Sequence, residues 1–121
     1  MSLSIDVERD DRATLLVLSG ELDMLTASQL RECLVEVIGD GARIVIDMEA
    51  LDFLDSAGLG ILVGGLKRAR THGGELELVC SSSAVLKPIE ITGLDRVFTI
   101  HRCGTGAGRG RSGTGGIASG P

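Results

Sequence analysis

The chain has 121 residues, enough for one domain with a modest hydrophobic core. Apolar residues make up 43% of it, but it has no Trp or Tyr and only two Phe, so aliphatic side chains must fill that core. Its net charge of −5 argues against nucleic acid or an anionic membrane surface as the main partner, because both attract clustered Lys and Arg.

The first eleven residues are polar and acidic, unlike a secretory signal peptide, and no apolar run approaches the length of a membrane span. Cys33, Cys80 and Cys103 lie far apart and form no CxxC pair. We therefore expect a cytoplasmic protein with free thiols, in which Cys33 and Cys80 are small core residues. No metal or cofactor site is predicted, since only His72 and His101 could join the cysteines as ligands.

The chain is predicted to begin with a β-hairpin. Leu3–Val7 alternates between apolar and polar residues, as a half-buried strand does, and Ala13–Leu18 forms a second, more apolar stretch. We expect the residues that follow, Gly20–Asp23, to form a loop that leads into the first helix.

The first helix is predicted to start at Thr26, because Thr26 and Gln29 have the spacing of a capping box, and to end at Gly39. A continuous β-branched run, Ile44–Ile46, then indicates a central strand that is covered on both faces and ends at Asp47–Met48. The apolar face of the first helix, which precedes this strand, is predicted to consist of Leu30, Leu34, Val37 and Ile38.

The stretch Leu51–Gly65 is predicted to turn at Asp55 and to enter a second helix at Ser56, with Ser56 as its N-cap. This helix is expected to stop at Gly73, and the basic residues near its end should complement the helix dipole. Its buried stripe is predicted to consist of Leu59, Leu62, Val63 and Leu66.

Three further elements complete the predicted pattern. Glu75–Val79 alternates like a strand, a third helix should follow the serines at 81–83, and Val97–Ile100 is the last strand. Pro88 would remove a hydrogen bond inside the third helix, so we expect a kink or a late start there. The strand–helix–strand order favours an α/β fold with a mostly parallel sheet and an antiparallel edge strand.

Ser56 is the candidate functional residue of the chain. Backbone N–H groups at a helix N-terminus favour an anion, so a phosphate could be added to Ser56 and held there. Its position alone leaves open the alternative of a simple helix cap. The turns that follow contain Gly58, Gly60, Gly64 and Gly65. Each glycine weakens a helix by about 1 kcal/mol relative to Ala, which indicates close approach by a neighbouring strand or by a partner protein.

Three motifs of the chain resemble those of one family. Asp55–Gly60, DSAGLG, resembles the D-S-[ST/A]-G-L-G signature of STAS-domain anti-sigma factor antagonists. Gly20–Asp23, GELD, resembles the family's G-E-[LI]-D, and Ile91–Leu94, ITGL, resembles its late T-G-L. The motifs occur in the family's order. The resemblance implies a STAS-like mixed sheet with an N-terminal antiparallel hairpin, a parallel core and helices packed on it.

The resemblance also implies a function. In this family an anti-sigma factor that is itself a serine kinase phosphorylates the serine after the Asp, which is Ser56 here; Ala57 stands where many members have a second hydroxyl. The unphosphorylated protein binds that kinase and releases a sigma factor, and a serine phosphatase removes the phosphate. We therefore expect phosphorylation at Ser56 and partner binding by Asp23, Thr26, Asp55, Ser56, Ala57, Gly58, Leu59 and Gly60.

Two other functions stay open, a scaffold subunit of a stress-signalling or lipid-transport complex and a nucleotide-hydrolysing enzyme. Catalytic motifs are not found: GxGxxG at Gly108–Gly113 has no predicted strand before it, and a Walker pattern from Gly60 has Leu66 in place of Lys. We therefore predict no catalytic residues. Residues 1–102 are expected to form the STAS domain, and residues 103–121 a disordered, Gly-rich tail.

Overall fold

The computed structural model describes residues 2–39 and 41–102, so the predicted tail lies outside the described residues. The order of strands and helices in this part of the chain is the predicted one. No helix among these residues is long and apolar enough to cross a membrane. The elements are β1 (Leu3–Arg9), β2 (Thr14–Leu22), α1 (Ala27–Val37), β3 (Arg43–Leu54), α2 (Ser56–Thr71), β4 (Glu75–Val79), α3 (Ser83–Ile91), a short 3₁₀ turn (Leu94–Arg96) and β5 (Thr99–His101).

The five strands form one sheet in the order β1-β2-β3-β4-β5. β1 pairs antiparallel with β2, and all other neighbours are parallel, which confirms the predicted mixed sheet with an antiparallel hairpin at one edge. Because β2 and β3 are parallel, both strands end at the same edge of the sheet. The segments that lead into α1 and α2 therefore start side by side.

One face of the sheet carries the hydrophobic core. Alternate apolar side chains of β2, β4 and the first half of β3 point to this face, and all three helices bury their apolar stripes in the same cluster. Burial of a Leu or Ile side chain contributes about 1.5–3 kcal/mol to the stability of a fold. An aliphatic cluster can therefore stabilise this domain although the chain has only two Phe residues. Its fully buried members include Leu16, Leu18, Leu30, Ile44, Ile46, Leu62, Leu76, Leu78 and Ile89.

The run Ile44–Ile46 is buried as predicted, but only one face of its strand is covered by helices. Val45 points to the other face, where it lies in register with Leu15 and Glu77 of the neighbouring strands. On that face Arg43 binds the Glu77 carboxylate at 2.8 Å and lowers the pKa of Glu77. Side chains of the sheet itself therefore cover Val45, which is 2% exposed.

β2 and β3 are both longer than predicted. Gly20–Leu22, expected to be part of a loop, continue β2 and pair with Leu51–Leu54 of β3. For the same reason β3 does not end at Asp47–Met48. Two register shifts keep the strands paired through a stretch whose hydrophobic alternation is interrupted.

The first helix begins where predicted, with Thr26 as its N-cap residue, but its end and its capping bonds differ from the prediction. α1 ends at Val37 instead of Gly39. The capping box does not form: Thr26 makes no side-chain cap bond, and Gln29 Nε2 donates to the carbonyl oxygen of Leu3 at 2.7 Å. Gln29 thus ties α1 to the edge strand β1, and the hydroxyl of Thr26 is used in the loop before the helix.

The C-terminal elements differ from the prediction at two points. α3 begins at Ser83 and continues beyond Pro88, so the expected late start is wrong. After α3, the N–H of Val97 donates to the carbonyl oxygen of Leu94 at 2.9 Å. This bond closes the 3₁₀ turn, so β5 begins at Thr99, two residues later than predicted.

The two described cysteines are free, as predicted. Cys80 is fully buried, and burial raises the pKa of its thiol to about 12. Cys33 is half-buried against the core, and burial is again the main cause that raises its pKa. Both thiols are therefore packing residues, and Cys103 lies outside the described residues.

The glycines of α2 fall into two classes. A Cβ atom at Gly65 would lie 2.9 Å from a methyl of Leu34 and 3.1 Å from one of Leu76, so glycine lets α2 pack closely on α1 and β4. At Gly60 and Gly64 a Cβ atom would meet no atom within 4 Å, and both residues are exposed. The packing of the domain therefore explains Gly65 but not Gly60 or Gly64.

Alanine at two neighbouring glycines should have opposite effects on stability. Gly64→Ala should raise the free energy of unfolding by about 1 kcal/mol, because it removes the helix penalty of glycine in open space. Gly65→Ala should lower it by about 1–3 kcal/mol, because the new methyl overlaps Leu34. Urea unfolding followed by far-UV circular dichroism measures both changes, and equal effects of the two substitutions would contradict the packing described here.

Candidate functional site

The candidate site lies where two segments meet at the edge of the sheet. The β2–α1 loop, Asp23–Thr26, and the turn into α2 at Asp55 follow neighbouring parallel strands. The N–H of Asp55 donates to the carbonyl oxygen of Leu22 at 3.2 Å, and Asp55 Oδ2 accepts from the N–H of Met24 at 3.1 Å. Asp55 therefore joins the two segments that contain the predicted site residues.

Asp55, and not Ser56, is the N-cap of α2. Its backbone is extended, with φ −112° and ψ −175°, and its Oδ1 accepts from the N–H of Gly58 at 3.0 Å. Ser56 is the first residue inside the helix, so the predicted serine cap is wrong. Because the carboxylate of Asp55 already binds the N–H that a cap would bind, the Ser56 hydroxyl has no capping role.

Ser56 is exposed at the start of α2. Among residues 2–39 and 41–102, its hydroxyl has no hydrogen-bond partner within reach, and the N–H groups of Ser56 and Ala57 have no acceptor. The next two amides, of Gly58 and Leu59, both bond to Asp55. Two free amides and the positive end of the helix dipole therefore surround the Ser56 hydroxyl, an arrangement that favours an anion.

Asp23 and Thr26 hold the β2–α1 loop in its shape. Asp23 Oδ1 accepts from the N–H groups of Leu25 at 2.9 Å and Thr26 at 3.1 Å. In return, Thr26 Oγ1 accepts from the N–H of Asp23 at 3.0 Å and lies 2.9 Å from the carbonyl oxygen of Glu21. Both residues are only 6% exposed, so their side chains shape this surface and other residues form its outer layer.

The first turns of α2 divide into exposed and buried positions. Ser56 and Gly60 are exposed, whereas Gly58 and Leu59 are buried. A Cβ atom at Gly58 would lie 2.7 Å from Leu22 Cγ, so glycine is required for α2 to approach the end of β2. The structure therefore brings all predicted site residues together, but it places some of them beneath the surface.

Sequence reasoning missed two residues of the outer layer. Met24 is 76% exposed and Leu25 is 75% exposed, beside Asp55 and close to the start of α2. Large exposed apolar side chains that follow one another in a loop are candidates for an interaction surface. The signal was their place in the chain, because two consecutive apolar residues between Asp23 and Thr26 belong to the periodic pattern of neither β2 nor α1.

The two histidines have other roles. The N–H of His72 caps the far end of α2, about 24 Å from Ser56 at 1.5 Å per residue, and His101 Nε2 lies 2.8 Å from Glu77. The described part of the chain thus contains no Ser–His pair at Ser56. Within that same part, no group of three His, Cys, Asp or Glu residues is arranged to hold a metal ion.

The comparisons with known proteins agree with the fold and the motifs. The sequence model of the STAS domain family matches residues 4–103. The chain is 33% identical to the anti-sigma-B factor antagonist of Bacillus subtilis (strain 168) over 100 residues, which cover 83% of this chain and 92% of that protein.

Two solved structures are similar as well. An anti-sigma factor antagonist from Mycobacterium paratuberculosis has a TM-score of 0.75 and 35% identity, covering 82% of this chain and 85% of that one. The Bacillus cell fate determinant SpoIIAA in its phosphorylated form has a TM-score of 0.63 and 27% identity, covering 80% and 90%. The chain therefore belongs to the STAS domain family of anti-sigma factor antagonists.

Proposed function

We propose that this protein is an anti-sigma factor antagonist controlled by phosphorylation of Ser56. Unphosphorylated protein binds an anti-sigma factor serine kinase, which releases a sigma factor and permits transcription. The kinase phosphorylates Ser56 and so ends the binding, and a serine phosphatase restores it. The observation that carries the proposal is the exposed Ser56 hydroxyl, which has no capping bond and lies at the junction made by Asp55.

The surface around Ser56 suits a protein partner. Met24 and Leu25 offer apolar area next to the exposed hydroxyl, and Gly60 adds backbone that a partner can approach closely. Asp23, Thr26, Asp55, Gly58 and Leu59 support this surface from below through hydrogen bonds and packing. A rigid support keeps the surface ordered before binding, which lowers the entropic cost of association.

Phosphorylation would change the charge of this surface without refolding the domain. A phosphate adds about −1.5 to −2 charge beside the Asp55 carboxylate. The free amides of Ser56 and Ala57 would hold it at the helix N-terminus, in the middle of the docking surface. Like charges brought together at an interface cost several kcal/mol, and each 1.4 kcal/mol lowers affinity tenfold. A single phosphate is therefore sufficient to end binding.

Substitutions of Ser56 should separate binding from its control. Ser56→Ala should bind the purified anti-sigma factor kinase of the source organism and stay bound with ATP, because it cannot accept a phosphate. Ser56→Asp should bind about tenfold more weakly than wild type, because it adds a charge beside Asp55. Isothermal titration calorimetry with and without ATP measures the affinities.

The control for these experiments is Ser4→Asp, an exposed serine of β1, which should bind like wild type. If Ser56→Ala lost affinity on addition of ATP as wild type does, or if Ser56→Asp bound as tightly as wild type, the proposed switch would be wrong. If the affinity of the wild-type protein for the kinase were the same with and without ATP, a scaffold role would be favoured instead.

The exposed apolar residues allow a second test. Met24→Ser should lower affinity for the same kinase by about tenfold, because burial of a Met side chain contributes about 1.5–3 kcal/mol. The free energy of unfolding of the Met24→Ser variant should change little, since Met24 is 76% exposed. Ile91→Ser is the matched control, because Ile91 on α3 is equally exposed. Equal affinities of the two variants would contradict a docking role for Met24.

A further inference from the structure

A groove of about 250 Å³ separates α1 from α2 on the outside of the helical layer. Leu34 and Val35 of α1 and Ile61 of α2 form apolar walls, and Val35 is 49% exposed. The residues that line it are Arg31, Leu34, Val35, Gly60, Ile61, Gly64, Gly65 and Arg68. The groove thus contains both glycines that the packing of the domain does not explain.

The groove continues the surface around Ser56. Ser56, Gly60, Gly64 and Arg68 follow one another at intervals of four residues, and all four are exposed. Residues four apart lie on the same side of a helix, and the row spans about 18 Å at 1.5 Å per residue. Since a Cβ atom at Gly60 or Gly64 would meet nothing, this row leaves the backbone of α2 open to a partner.

The charges of the groove differ from those of the rest of the protein. The chain carries a net charge of −5, but the lining contains Arg31 and Arg68 and no carboxylate. Neither arginine forms an ion pair with another of the described residues, whereas Arg43 and Arg70 do. At the other end of the row the Asp55 carboxylate lies beside Ser56. Two cations without an ion-pair partner among the described residues therefore line the groove, and the Asp55 carboxylate lies outside its lining.

We propose that this groove binds an acidic, amphipathic helix of the same kinase that contacts Ser56, an inference that rests on the proposed function. The apolar side of that helix packs on Val35 and Ile61, and its backbone approaches α2 at Gly60 and Gly64. Its carboxylates pair with Arg31 and Arg68. The carboxylate that pairs with Arg68 lies at the end of the row away from Ser56.

Two neighbouring cations of α2 provide a matched test. Arg68→Glu and Lys67→Glu make the same change of charge at adjacent exposed positions, but only Arg68 lines the groove. Arg68→Glu should weaken binding of the purified kinase about tenfold, and Lys67→Glu should change it by less than about twofold. Equal losses would show a general charge effect and would overturn the groove as the binding site of an acidic helix.

A substitution that fills the groove tests the same site without changing its charge. Gly64→Leu should fold as stably as wild type, because the position is open, and should bind the kinase about tenfold more weakly. Wild-type affinity in Gly64→Leu, together with weak binding by Ser56→Asp, would overturn the groove inference and leave the proposed function intact. Failure of the wild-type protein itself to bind the kinase would overturn both.

Discussion

The carboxylate of Asp55 organises the candidate site. One of its oxygens caps α2 at Gly58, and the other holds the β2–α1 loop at Met24. The bond to Met24 joins segments that are 31 residues apart in the chain, and the bond to Gly58 fixes where α2 begins. Ser56 is consequently the first residue of the helix and is exposed, and the N–H groups of Ser56 and Ala57 have no acceptor among the described residues. A cap at Ser56 itself would have directed the Ser56 hydroxyl at the first turn of the helix.

The glycines of α2 show how one helix serves both folding and binding. Gly58 and Gly65 let α2 pack closely, because a Cβ atom there would crowd Leu22 at Gly58 and Leu34 and Leu76 at Gly65. Gly60 and Gly64 weaken the helix without improving the packing of the domain, so stability alone does not account for them. An open backbone next to Ser56 is consistent with selection for close approach by a partner, at a cost of about 1 kcal/mol for each glycine.

The arrangement of strands and helices could be predicted from the sequence because hydrophobic periodicity is a local signal, and the three motifs identified the family. The lengths of β2 and β3 could not be predicted from the sequence. Their pairing at Gly20–Leu22 continues across register shifts that no local pattern reveals. The cap was misplaced by one residue because Asp and Ser are equally good caps, and only the fold decides which one faces Gly58. Met24 and Leu25 were missed because the prediction followed the apolar periodicity of β2 and α1, and these two residues belong to neither pattern.

Intact-mass and peptide mass spectrometry of the protein, purified from its own cells during growth and under stress, tests the proposed phosphorylation switch at Ser56. The switch predicts a fraction of molecules with one added phosphate, located on Ser56, and a change of that fraction between conditions. A chain that stays unmodified in every condition, or a phosphate on another residue with Ser56 free, would contradict it.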